Sequence, residues 1–156
     1  MRNRKESAFS LVEVALALAV AAFALVAVFG LLPLGVTSNQ NSVEQTIAAG
    51  VATAVAADLR ATPGIAVSGT SAIYQIPIPG AGGGVATLSP PLYLKEDASK
   101  QTTASAARYQ VNVTLTPPAT GSRMATTVRI LVTWPAAAAP TNASGSFEVL
   151  TALNRN

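Results

Sequence analysis

Between Val14 and Val36 the chain runs for 23 residues without a charged or strongly polar side chain. As an α-helix, at about 1.5 Å per residue, that run covers roughly 34 Å, against about 30 Å for the hydrocarbon core of a bilayer. An open strand cannot take its place in lipid, because its backbone donors and acceptors would go unpaired. The two-residue alternation in "VALALAVA" is apolar in both phases, so it marks no half-buried strand. The run therefore predicts a membrane-crossing helix, and whatever else the chain folds into has to be built from the residues that follow.

A secretory signal peptide is the first rival, but its apolar region covers about 7 to 15 residues. This run is longer, and Glu13 stands where such a peptide carries only basic and apolar residues. Arg2, Arg4 and Lys5 precede the run and, by the positive-inside rule, predict a cytoplasmic N-terminal end. With Glu6 they account for +2 of the net charge of +3, which leaves no basic stripe elsewhere and no expectation of a nucleic-acid partner. The chain has no cysteine and no histidine, removing the thiolate and the commonest general base and metal ligand. No enzyme, cofactor or metal site is expected.

Glu13 raises the sharper question. At the membrane surface it is an inexpensive flanking charge; deeper, an unpaired acid costs about 2.5 to 3.5 kcal/mol and needs a partner. The stretch "AFSLVEV", Ala8 to Val14, resembles the prepilin cleavage and methylation motif of type IV pilins and type II secretion pseudopilins. A basic leader is followed by a small residue, a phenylalanine and, four residues on, a glutamate. Two departures stand out: Ala8 replaces the family's usual glycine, and Gly30, with Pro33 just beyond, stands near where the family often has a proline. "FSLVEVALALAVAAFALVAVFGLLPLG" and "NSVEQTIAAGVATAVAADLRATPG" are similar to the pilin-like Verru_Chthon cassette proteins of the B kind, and the apolar segment also resembles those of minor pseudopilins of the I or V type.

The resemblance implies cleavage between Ala8 and Phe9 by a prepilin peptidase, with methylation of the new Phe9 amine. It further implies that Glu13 pairs with the terminal amine of a neighbouring subunit during assembly. The implied partners are other pilins or pseudopilins, the peptidase, and an inner-membrane assembly platform with its ATPase. The implied place is the bacterial inner membrane, crossed once, with the head in the periplasm or on an extracellular filament. "GLLPLG" is expected to be a soft point of the helix at Gly30 and Pro33. The alternative is a single-pass anchored envelope binding protein that never polymerises.

Beyond Val36, residues Val43, Ile47, Val51, Val55 and Leu59 recur every fourth position with Ala48, Ala52 and Ala56 alongside. Glu44, Gln45, Asp58 and Arg60 fall outside this stripe, which predicts an amphipathic helix ended by Thr62–Gly64. Residues 65 to 156 read as short strands between turns. Tyr74–Pro79 predicts a weak edge strand and Leu92–Glu96 a short one. Arg108–Thr116, Thr127–Trp134 and Ser146–Leu153 alternate cleanly. The expected fold is α+β: a leader (1–8), a transmembrane and assembly helix (9–36), an amphipathic helix (37–62) and an antiparallel β-sheet head (63–156), with Trp134 and the tyrosines in its core. The glycines at 80–84 lack P-loop spacing, and Lys95–Asp97 reads as a solvated turn rather than a calcium site.

Overall fold

The computed structural model describes residues 10–62, 69–80, 84–119 and 125–154. The chain divides into two compact units, residues 1–41 and 42–156. One helix, α1 (Leu11–Ala61), contributes to both. In the first unit its large apolar side chains are exposed: Leu11 at 87% and Phe23 at 79% are the extremes of a set running to Val36.

The second unit follows the alternation in the sequence. Strands β1 (Gly69–Thr70), β2 (Pro77–Ile78), β3 (Thr87–Leu88), β4 (Leu92–Leu94) and β5 (Lys100–Gln101) are short. The strands β6 (Tyr109–Thr116), β7 (Thr126–Trp134) and β8 (Gly145–Leu153) are long. The main sheet has the antiparallel order β5-β4-β6-β7-β8, with β3 also paired to β6, while β1 and β2 form a separate ribbon. In β6, Tyr109, Val111, Val113 and Leu115 face inward and are fully buried, as are Val128, Ile130 and Val132 of β7. Ala48, Val51, Ala52, Val55, Ala56 and Leu59 of α1 belong to the same core. The fold is thus α+β, one helix on an antiparallel sheet. The alanines every fourth residue matter because a side chain of one carbon lets the helix backbone sit close to the strands. The larger residues between them bury about 1.5 to 3 kcal/mol each of transfer free energy.

The expected stripe is accurate at its centre and shifts at its ends. Val43 is 49% exposed and takes no part in the core, whereas Asp58, expected on the polar side, is only 2% exposed. The segment Tyr74–Pro79 pairs as a strand only at Pro77–Ile78, because the backbone turns before it and Gln75 has a positive φ of 56°. Trp134 is buried, and its ring meets that of Tyr109 edge-on with centroids 6.0 Å apart. Opposite Trp134 in the β7–β8 register stands Gly145, where a β-carbon would overlap the indole ring. Gly145→Ala is expected to lower the unfolding free energy by about 1 to 3 kcal/mol, the range for overpacked cores, measured by denaturant titration of the detergent-solubilised chain.

Candidate functional site

The first turn of α1 places the residue on which the sequence reading turns. The backbone N–H of Glu13 donates to the Ser10 carbonyl at 3.0 Å and to Ser10 Oγ at 3.2 Å, so Ser10 caps the helix. Ser10 and Glu13 have the S-x-x-E spacing of a capping box. A carboxylate in the first turn also complements the helix dipole. The carboxylate therefore favours the start of its own helix. The pair Ala8 and Phe9, expected at the cleavage and methylation site, lies outside the described residues. At Gly30 and Pro33 α1 continues unbroken; proline supplies no N–H, and the Pro33 carbonyl accepts a bond from Thr37 Oγ1 at 2.8 Å. By length and composition α1 is able to cross a membrane once.

In the second unit, ionic groups secure the packed half of α1 at both ends. Near its beginning, Glu44 accepts from Arg108 Nε at 3.1 Å and from Arg108 Nη2, while its other oxygen accepts from Tyr109 Oη at 2.7 Å. The Arg108 guanidinium, against the opposing effect of burial, holds the Glu44 carboxyl below its ordinary value of 4.5. Burial and the neighbouring Glu44 carboxylate push the Tyr109 phenol up. Near the end of the helix, Asp58 accepts the backbone N–H groups of Ile73 and Tyr74, both at 3.0 Å. Burial alone would raise Asp58, but bonds from Ser71, Tyr74, Ile73 and Ala72 outweigh it and keep the carboxyl below its ordinary 3.8. Arg60 Nη2 adds a bond to Thr151 Oγ1 at 2.6 Å.

Each of these carboxylates is held by several donors: Arg108 and Tyr109 on Glu44, and Ser71, Ile73 and Tyr74 on Asp58. Sequence reasoning missed the Asp58 and Glu44 contacts, since their partners lie 13 or more and 64 or more residues away and carry no local signal. At Lys95–Asp97 the sheet does turn in solvent, with Asp97 Oδ1 accepting the Ser99 N–H at 3.0 Å. Among the described residues no group of three or more acidic side chains is placed to hold a metal ion. Comparison with known proteins returns no matching family model, no similar curated protein and no similar solved structure.

Both carboxyls are lowered by folding, so their stabilisation is complete above their ordinary values and is lost as pH falls through the lowered ones. Unfolding free energy is expected to be flat between about pH 5 and 9 and to decline below that window, with Glu44→Gln reducing the slope and Asp58→Asn reducing it further. Asp58→Ala, which strands the buried Tyr74 N–H and the part-buried Ile73 N–H, is expected to cost about 1 to 3 kcal/mol at neutral pH by denaturant titration.

Proposed function

We propose that the chain is a pilin-like structural subunit, trimmed between Ala8 and Phe9 and assembled through its apolar helix into a type IV pilus or a type II secretion-like pseudopilus. The single observation that carries this reading is the division of labour along α1. From Ala48 to Leu59 the helix is buried in the head, whereas from Leu11 to Val36 its large apolar side chains are exposed and wait to be covered. A contiguous apolar surface of that size marks a membrane or protein contact. Lipid covers it before assembly and the helices of neighbouring subunits cover it afterwards. The basic leader and the Ala8-Phe9-…-Glu13 spacing add the means of release.

On this reading cleavage frees an ammonium group at Phe9, and Glu13 of an adjoining subunit receives it. Little water screens the attraction within a helix bundle, so the pair sets the axial offset between subunits. Glu13 is then both the first-turn acid of its own helix and the counter-ion of its neighbour. The partners are other pilins or pseudopilins, served by a prepilin peptidase and an inner-membrane platform with its ATPase.

Mass spectrometry of the protein from its native membrane is expected to find a mature chain beginning at N-methylated Phe9; a chain beginning at Met1 or inside the apolar run contradicts the scheme. Glu13→Ala is expected to leave membrane insertion unchanged while reducing incorporation into filaments at least about tenfold, the effect of losing roughly 1.4 kcal/mol per contact. Sheared-filament immunoblots provide the measurement, and wild-type filament content in this variant removes the pairing role.

A further inference from the structure

The exposed part of α1 is not uniform around its axis. Leucine recurs at every seventh residue, at Leu11, Leu18, Leu25 and Leu32. Three residues after each of them stands Val14, Ala21, Val28 or Gly35. Positions spaced three and four apart in turn form one line along a helix, the seam along which two helices pack when both carry it. The four leucines are exposed, from 53% at Leu32 to 87% at Leu11, so the chain itself does not cover this seam.

The residues beside the seam change with it. Its flanks at 15, 17, 22 and 24 are all alanine, whereas the bulky Leu16 and Phe23 lie on the opposite side of the helix. Gly30, Pro33 and Glu13 also fall off the seam. At its later end Val28, Leu31, Leu32, Gly35, Val36 and Asn39 line a surface groove made of seam residues and their immediate flanks. Nothing beyond the local helix backbone comes within 4 Å of a β-carbon built at Gly35, so a second backbone has room to approach there. Asn39 takes the next place in the leucine series, seven residues after Leu32. A lone amide at such a place sets the register between packed helices.

We infer that this seam takes the same seam of a second copy of this chain, parallel and without axial offset, while both helices cross the membrane. Lipid asks for no seven-residue period. Asn39, just beyond the apolar run, meets its complement in another Asn39 at the same level, which an unrelated helix does not supply. Parallel orientation follows from anchoring, because copies with the same basic N-terminal residues and one span enter the membrane the same way. A straight helix drifts about 20° per seven residues against such a repeat, so the two helices coil gently left-handed. The contact leaves Glu13 for the offset pairing with a neighbour's amine. It rests on α1 crossing a membrane, and not on cleavage at Ala8 or on the role of Glu13.

The chain has no cysteine, so an introduced thiol is unique. In the full chain reconstituted into phosphatidylcholine vesicles at large lipid excess, Ala21→Cys and Val28→Cys are expected to give disulfide-linked dimers on mild oxidation. Leu16→Cys and Phe23→Cys are expected to give about tenfold less, since thiols whose α-carbons lie more than about 7 Å apart do not bridge. In the Val28→Cys chain, Gly35→Ile fills the notch and is expected to lower the yield about tenfold, whereas Gly30→Ile, the same change off the seam, leaves it within about twofold. Asn39→Ala is expected to lower it about threefold. Equal linking at all four thiol positions marks random collision and overturns the inference. So does an inserted chain that stays monomeric, an equal response to the two isoleucines, an unchanged yield with Asn39→Ala, or linking of Val28→Cys only to a different protein in native membranes. A chain that fails to insert overturns both this inference and the membrane reading beneath it, while the N-terminal mass measurement decides the subunit reading separately.

Discussion

Everything in the second unit depends on how closely α1 seats against the sheet. Ala48, Ala52 and Ala56 remove side-chain bulk along one line of the helix, and Val51, Val55 and Leu59 fill the spaces beside it. Facing them, the inward residues of β6 and β7 present β-branched and aromatic groups in successive layers. Apolar burial of this kind is non-directional and does not by itself fix where the helix stops sliding or turning. Directional bonds from Glu44 near one end, and from Asp58 and Arg60 at the other, supply that choice.

The same helix carries two surfaces with opposite needs. Its later turns are satisfied within the head; its earlier turns expose Leu, Val and Phe side chains that no part of the first unit covers. A helix that is apolar on all sides is stable only in a membrane or among other apolar helices. The chain therefore has an uncovered apolar helix surface at one end and a self-contained core at the other. The proposed subunit, anchored first and assembled later, would use both this division and the one acid, Glu13, at the boundary of the apolar run.

The sheet shows a milder form of the same asymmetry. Its β5 edge is closed by shortness and by Lys100, while its β8 edge remains long, regular and nearly uncharged. The Arg129–Glu148 pair matters less for stability, since both groups are well exposed and such pairs contribute little. Its effect is local: it ties the outer faces of β7 and β8 together.

Periodicity was enough to read the apolar run, the centre of the alanine-lined stripe and, to within one residue at their starts, the three long strands expected at Arg108–Thr116, Thr127–Trp134 and Ser146–Leu153, because each repeats a side-chain pattern long enough to bury one face. Strands of two residues, such as β1, β3 and β5, repeat nothing, and they exist only because a longer strand or ribbon partner lies beside them. Asp58 illustrates the limit most clearly. By composition it belongs on the wet side of the helix, yet the turn at Ser71–Tyr74 brings backbone donors over it and makes burial favourable. Glu44 likewise looks like a solvated acid until the sheet delivers Arg108 and Tyr109. The linear chain thus settled which segments are apolar and with what period, a property of consecutive residues; which polar groups are buried, and against whom, was decided by contacts between segments that only the folded chain brings together.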